Sequence, residues 1–536
     1  MERGPISLRR LAGWAPVVAG WALLTGMSLA LRPLMPVDET RYAAVAWEMW
    51  TRGDFLVPHL NALPYSDKPP LLFWLIHFGW WTFGVNEWWP RLVPALFSLL
   101  NLGLASALAR RLWPDRPSVV RSAPRVLLGL LLWSAFTGML MFDMLVTCCV
   151  LLALLGLHGA WARGGALAWF QVGAALGLGI LAKGPVALLA PLLTALLAPW
   201  WGHRRADWRW WLGLAAAVAF AAAIALCWAL PAARAGGPAY GDAILFSQTE
   251  ERVVHSFAHL RPWWWYLPLL PVLLYPYSFW PPLWKAAVRL RPRAADSGVR
   301  FCLAWTLPAL AAFSLISGKQ PHYLLPLFPG FALLAARLLE EPVPEPTRWS
   351  LVPSVAVLLL VAAVLSVAPV LAHRPGIPPW AAQILPAAGV LLGLAALAVL
   401  FLPGRFFAGR PAAPALLSLL LMAALYTAGS GAIRRAYDVA PMARYLAAIQ
   451  RRGQPIAYVG EYHGEFHFLG RLQHPLEQVA TGAEWRWLVE HPDGKLVELA
   501  SLPLAKIHAD FAQPYRSGVL AVWSRDSFPS FPSGAS

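Results

Sequence analysis

The stretch DETRYAAVAWEMWTRGDFLVPHLNALPYSDKPPLLFWL, residues Asp38 to Leu75, holds charge that the apolar chain on either side avoids. Asp38, Glu39 and Arg41 open it, and Asp67 and Lys68 stand ahead of two prolines near its end. Ionisable side chains are costly inside hydrocarbon, so a charged stretch between apolar runs belongs at a membrane surface. We read residues 32–89 as a loop that carries a reaction centre on one face of a membrane. Leu71 to Phe83, short and containing His77, reads as an interfacial helix of that loop rather than a span.

Working outward, the 536 residues are 58% apolar and 13% charged, with a mean hydropathy of +0.54, which no soluble globular class matches. Apolar runs near the roughly 20 residues that cross a bilayer lie at 12–31, 90–112, 122–138, 144–162, 166–182, 184–200, 210–233, 264–284, 300–316, 322–338, 350–371, 379–402 and 411–430. The expected fold is a polytopic α-helical membrane protein of about 13 transmembrane helices. The 30 Trp and 49 Pro suit interfacial aromatic belts and broken helix ends. Basic residues gather in alternate loops, for example Arg110, Arg111, Arg116, Arg121 and Arg125, and this places the N-terminus on the cytoplasmic side. The same clustering accounts for the net charge of +16 through orientation, without nucleic acid as a partner. The first run is long and lacks a small-residue cleavage pattern before Arg32, so it reads as a retained span. Cys148, Cys149, Cys227 and Cys302 lie inside apolar runs, without metal-ligand spacing, and read as small core residues.

From about Ala432 the composition turns polar. Met442 to Arg452 has helical spacing, and Pro455 to Val459, Glu465 to Leu469 and Gly518 to Trp523 read as short strands. Residues 432–536 are expected to form a small soluble α/β domain on the outer face, and residues 1–431 the membrane domain.

On that topology one side of the membrane collects Asp38, Glu39, Arg41, Tyr42, Asp67, Lys68, Asp143, Lys183, Glu250, Glu251, Arg252, His255, Lys319, His322 and Tyr323. Few charges fall within the runs, which favours a surface reaction centre over a conduction path. Asp38, Glu39 and Asp143 each stand where a helix begins, and an acid there can serve as a cap. A carboxylate beside Arg41 and Lys68 also stays ionised, able to act as a base or to orient an acceptor, and this is our reading of Asp38. Lys68, Lys183 and Lys319 each stand alone on separate loops, and Arg252 adds a fourth cation. Singly they suit interfacial anchoring; as a set they suit a phosphate-bearing substrate. Tyr323 alone reads as an aromatic-belt residue. His463, Glu465 and His467 lie in a strand-like segment that lacks a further ligand at zinc spacing.

Five motifs in this order resemble the bacterial GT-C glycosyltransferases, and above all the lipid A aminoarabinose (4-amino-4-deoxy-L-arabinose) transferase family, relatives of the protein O-mannosyltransferases. They are DETRYA at Asp38, YSDKP from Tyr65 to Pro69, Asp143 after a span, LAKGP from Leu181 to Pro185, and SGKQPHYLLP from Ser317 to Pro326. The likeness covers nearly the whole membrane part; the C-terminal region is similar in position and size only. It implies a GT-C fold with its active site on the periplasmic face of the bacterial inner membrane. There a sugar would pass from a polyprenyl (undecaprenyl) phosphate carrier to lipid A or another envelope acceptor. It also implies that Asp38 and Asp143 are the catalytic carboxylates, and that Lys68, Arg252 and Tyr323 hold the carrier phosphate. Glu39, Arg41, Tyr42, Asp67, Lys183, Glu250 and Lys319 would line the sugar and acceptor pocket, to whose shape Asp143 would contribute as well. A carrier-borne phosphate leaving group needs no nucleotide, and the chain has no Asp-x-Asp pair or Gly-rich phosphate loop. No cofactor is expected with certainty. Some relatives hold a divalent zinc through an acid of the Lys-Pro loop and a His ahead of the Arg252 position, but here Phe246 to Arg252 reads FSQTEER, without the His. Three alternatives stand beside this reading: a protein O-glycosyltransferase, a lipid-linked sugar transporter, and a sensor whose C-terminal domain reads the periplasm. The transporter would be marked by ionisable residues within the spans or by paired broken helices.

Overall fold

The structure is a computed structural model that describes residues 8–247, 260–288, 296–340, 347–372, 374–402, 411–501 and 504–529. After α1 (Leu8–Leu31) the charged stretch folds into α2 (Asp38–Arg52), the two-residue strands β1 (His59–Leu60) and β2 (Leu63–Pro64), and α3 (Leu71–Phe83). Gly53 ends α2 by adopting φ 67°, a conformation that costs a residue without Cβ little, and its N–H bonds the Trp50 carbonyl. Ala43, Ala44, Val45, Ala46 and Met49 of α2 are wholly enclosed, so this helix lies inside packed protein rather than on its surface. Helix α3 has 13 residues, about 20 Å at 1.5 Å per residue, too short for a hydrocarbon layer of about 30 Å. It buries Leu72, Phe73, Ile76 and Trp80 and exposes Phe78, Trp81 and Phe83, the two-faced pattern of a helix lying in the interface.

Next come α4 (Trp88–Leu112), α5 (Pro117–Gly129), α6 (Leu131–Phe136), α7 (Asp143–Arg163) and α8 (Ala166–Lys183). Among the described residues nine helices are long and apolar enough to cross a membrane, and the chain is a multi-pass membrane protein. Of the apolar runs behind the expectation of about 13 transmembrane helices, those at 122–138, 184–200, 264–284 and 379–402 are not among these nine. These runs are helical but broken. The first divides into α5 and α6 where Leu130 turns extended at ψ 128°, next to Gly129, at which a Cβ would stand 2.7 Å from the Ala415 backbone. The second opens at Gly184, φ 84°, as the tight helical turn Pro185–Leu188, continues as Leu189–Leu196 and breaks at Leu197, where ψ is 12°. The third contains Pro271, Pro276, Pro281 and Pro282, each lacking the N–H that continues a helix. Hydropathy registers apolar composition and is blind to such breaks. Cys148, Cys149 and Cys302 are buried as expected, whereas Cys227 is exposed on the helix Trp208–Gly236.

The C-terminal region opens on the helix Ala440–Arg451 and a five-stranded sheet of β3 (Ile456–Val459), β4 (Glu477–Val479), β5 (Lys495–Ala500), β6 (Phe511–Tyr515) and β7 (Gly518–Trp523). The strand order is β4-β3-β5-β7-β6, with β3 parallel to β4 and β5, and β7 antiparallel to β5 and β6. Glu465 to Leu469, expected as a strand, contains no strand; a short helix, His467–Gly470, occupies its end. The cause is Gly464, held at φ 82° where a Cβ would stand 2.5 Å from Leu60 and 3.0 Å from Ala44. The chain turns there against the charged stretch.

Two sets of contacts fix that stretch in place. On one side, Arg32 pairs through both terminal nitrogens with the buried Glu39 carboxylate, which also accepts the N–H groups of Met35 at 2.7 Å and Leu140 at 2.6 Å. Arg32 further donates to the Gly138 carbonyl at 2.5 Å. Burial alone would raise the Glu39 pKa, but Arg32, with Arg91 and the Met35 N–H, outweighs it and holds the group below its ordinary value. On the other side, Trp47 Nε1 donates to the Leu472 carbonyl at 2.8 Å, and Trp80 stacks on Phe468 with ring centroids 5.2 Å apart. Asn61, at φ 53°, gives and takes bonds of 2.8 Å with the carbonyl and N–H of Leu476. The Glu48 carboxylate closes the β1–β2 turn by accepting the N–H groups of Asn61 at 2.5 Å and Ala62 at 2.9 Å.

Removing Glu39 leaves Arg32 buried without its partner. Glu39→Ala is therefore expected to destabilise the protein by about 3–5 kcal/mol, read as a lowered unfolding midpoint by tryptophan fluorescence in detergent. Asn61→Ala, which deprives two buried backbone groups of partners, should cost about 1–3 kcal/mol by the same measurement. A midpoint unchanged in either variant would contradict its assignment.

Candidate functional site

Asp38 and Asp143 each stand in the first turn of a helix, yet neither caps it. The cap positions are Val37 for α2 and Phe142 for α7, and no side chain bonds the exposed N–H groups of either end. Both carboxylates turn instead toward a common cluster. Asp38 Oδ1 accepts from Arg41 Nη2 at 2.6 Å and lies 3.4 Å from the Tyr42 hydroxyl, with 43% of the Asp38 side chain still open to solvent. Asp143 is buried; its Oδ1 accepts from Lys183 Nζ at 2.6 Å. The Asp143 Oδ2, also buried, has no hydrogen-bond partner and stands 4.0 Å from His322 Nε2.

Aromatic rings join the two halves. Tyr42 meets Phe142, the residue before Asp143, edge to face at 4.9 Å. Lys183 Nζ lies 4.7 Å from the centre of the Tyr323 ring, which packs edge-on against His322 at 4.8 Å. Asp143, Lys183, Asp38 and Lys68 all lie within electrostatic range of the buried His322 ring. Burial by itself would lower the proton affinity of Arg41, but Tyr65, Tyr42, Asp38 and Asp67 around it outweigh that and hold it above its ordinary value. Burial, with Asp38 and Tyr65, pushes the Tyr42 phenol well above its own. At neutral pH Arg41 is thus a fixed cation and Tyr42 a neutral hydroxyl.

Of the residues expected at the site, Asp38, Arg41, Tyr42, Asp67, Lys68, Asp143, Lys183 and Tyr323 converge here from four separate segments. Two expectations are corrected. Glu39 faces away, its carboxylate held by Arg32 and the N–H groups of Met35 and Leu140. Lys319 is 2% exposed and donates to the carbonyls of Arg261, at 3.0 Å, and Ile316, so it fastens its own loop. Glu250, Glu251, Arg252 and His255 lie outside the described residues. His322, given no role from sequence, sits at the junction of the cluster; its place inside the SGKQPHYLLP motif was the available signal. Phe142 carried no signal, because a phenylalanine before a helix start reads as ordinary packing.

Among the described residues no group of three or more His, Cys, Asp or Glu side chains is arranged to hold a metal ion. The Phe246–Arg252 stretch lies largely outside them.

The cluster pairs two carboxylates with several cations and hydroxyls, an arrangement that can orient a nucleophile on one side and receive a departing anion on the other. Residues 67–228 match the family model described as dolichyl-phosphate-mannose-protein mannosyltransferase. The undecaprenyl phosphate-alpha-4-amino-4-deoxy-L-arabinose arabinosyl transferase of Pseudomonas paraeruginosa is 34% identical over 342 residues, covering 62% of this chain and 61% of that protein. The enzyme of that name from Erwinia tasmaniensis is 32% identical over 323 residues, covering 59% and 57%. The chain thus spans about three-fifths of the length of these curated relatives. Among solved structures, ArnT from Cupriavidus metallidurans bound to undecaprenyl phosphate superposes with a TM-score of 0.75 at 23% identity, over 96% of this chain and 97% of that one. Its apo form gives the same score over 97% and 99%. The fold of nearly the whole chain is therefore that of ArnT from Cupriavidus metallidurans, a multi-pass membrane protein fold, and the relatives that match three-fifths of it carry the name of an aminoarabinose transferase.

Proposed function

We propose that the protein is a glycosyltransferase that moves a sugar from a polyprenyl phosphate carrier to lipid A, at the periplasmic face of a bacterial inner membrane. The observation that carries the reading is the convergence of Asp38 and Asp143 with Lys68, Lys183, Arg41, Tyr42 and Tyr323. The named activity of the Pseudomonas and Erwinia relatives supports it. In this reading the N-terminus is cytoplasmic, and residues 432–536 form a domain on the periplasmic side, where they cover the reaction loop.

The reaction is a single displacement at the anomeric carbon. The bond from that carbon to the carrier phosphate oxygen breaks as a bond to the acceptor oxygen forms, which inverts the configuration. Asp38, partly open and paired with Arg41, takes the proton of an acceptor hydroxyl, or orients an acceptor phosphate that carries none. Lys68 and Tyr323, with Arg252, receive the negative charge left on the carrier phosphate. The partnerless Oδ2 of Asp143 accepts from a hydroxyl or ammonium group of the sugar, while Lys183 fixes the carboxylate through Oδ1. Arg41 and Tyr42 hold Asp38 from the side away from the substrate.

Reconstituted vesicles supplied with undecaprenyl phosphate-linked aminoarabinose and lipid A supply the test, with product followed by mass spectrometry. Asp38→Asn should lower turnover by about 100-fold or more, the contribution of a positioned base. Lys68→Ala should weaken transfer mainly through use of the carrier substrate, raising its KM more than it lowers kcat. Full turnover in both variants would refute the assignment. Sugar found on proteins while lipid A stays unmodified would retain the chemistry and replace the acceptor.

A further inference from the structure

A second cavity, of about 510 Å³, lies apart from this cluster, between the ends of α1 and α4 and the start of the helix Ala440–Arg451. Five arginines line it: Arg32, Arg91, Arg434, Arg444 and Arg471. Glu87 and Asp438 are the acids of the lining, and Asp438 is engaged in accepting the Ala440 N–H at 3.0 Å. Arg32, which lines the cavity, is paired with Glu39, and neither Asp38 nor Asp143 is among the lining residues.

Arg32 is neutralised by Glu39, whereas Arg91, Arg434 and Arg471 are held in a way that orients their charge without cancelling it. Arg91 is 6% exposed and donates to the carbonyls of Ser28, Leu29 and Arg32, and its buried Nε has no hydrogen-bond partner. Arg434 Nη2 donates to the Ala30 carbonyl at 2.9 Å. Arg471 donates to the Phe468 carbonyl and lies over the rings of Phe468, at 4.0 Å, and Trp47, at 5.4 Å. Carbonyls and ring faces fix a guanidinium but leave its positive charge in place, so the cavity is a basic chamber. Its depth is marked by Trp88, a lining residue that is 44% exposed at the start of a membrane-crossing helix, the level of an aromatic belt and of lipid headgroups. The volume falls within the range of small-ligand sites.

We propose that this chamber binds the phosphate headgroup of a membrane lipid, at a site separate from the Asp38–Asp143 cluster. The guanidinium groups suit bidentate contact with phosphate oxygens, and the position at headgroup level brings such a group from the bilayer itself. The proposal does not depend on sugar transfer.

The test uses the full chain in neutral detergent, with lipid binding read by native mass spectrometry and by the unfolding midpoint. The probes are phosphatidylglycerol, lipid A and, separately, inorganic phosphate. Arg434→Gln together with Arg444→Gln alters two exposed side chains, and is expected to weaken binding of either lipid about tenfold or more, with added salt weakening the wild type likewise. Glu87→Gln removes a lining carboxylate and should tighten binding, an arm that remains informative if the double variant fails to fold. Asp38→Asn should bind phosphatidylglycerol, which is no substrate of the proposed reaction, as the wild type does. Equal lipid binding by wild type, the double variant and Glu87→Gln would overturn the proposal, and so would loss of phosphatidylglycerol binding in Asp38→Asn, which would move the lipid into the reaction cluster. Inorganic phosphate competing as well as either lipid would overturn the lipid source. Failure of sugar transfer in vesicles leaves each of these readouts intact, so the two proposals fall independently.

Discussion

A buried ion pair in an apolar protein is costly to make and costlier to break, and the Arg32–Glu39 pair is the constraint on which the reaction cluster rests. The Glu39 carboxylate accepts four hydrogen bonds from three groups: two from the guanidinium past the end of α1, one from the N–H of Met35 just before α2, and one from the N–H of Leu140 just before α7. The residue before Glu39 is Asp38, and three residues beyond Leu140 is Asp143. One carboxylate thereby sets the distance between the other two. Its own role is structural because every lone pair it offers is already taken by the chain.

The same geometry explains why Asp38 and Asp143 are available at all. At most helix starts an acid folds back on the exposed N–H groups. Here Val37 and Phe142 hold the cap positions, so each Asp falls one residue inside its helix and projects sideways. Asp38 then finds Arg41 one turn on, and Asp143 finds Lys183 from the far end of α8. A shift of one residue in where each helix begins separates a cap from a member of the cluster.

Much of this was legible in the chain. Charge confined to Asp38–Lys68 and to a few loop ends located the cluster, because hydrocarbon tolerates no other placement. Motif order located the fold. The burial of Glu39 and Lys319 was hidden, since an acid or a lysine at a loop end looks alike whether it faces a substrate or a backbone carbonyl; only the partners Arg32, Leu140 and Arg261, distant in sequence, decide it. Helix breaks at Leu130 and near Pro276 were hidden for a different reason, as hydropathy averages over a window that a two-residue turn barely alters. The strand expected at Glu465 failed through Gly464, whose fit against Leu60 and Ala44 is a tertiary contact with no local trace.

Asn61 acts toward Leu476 as a strand edge would, its amide matching a backbone N–H and carbonyl at once. The C-terminal region is thereby stitched to the reaction loop as a sheet is stitched to a neighbouring strand, while Trp47 and Trp80 give it their flat faces. Alanine-lined α2 is consequently an internal helix with two shells, one from the bundle and one from the chain's last hundred or so residues. A chain cut short before those residues would leave that helix half wrapped, with indole rings facing water. The bundle and the sheet, each with a core of its own, thus meet on opposite sides of one helix.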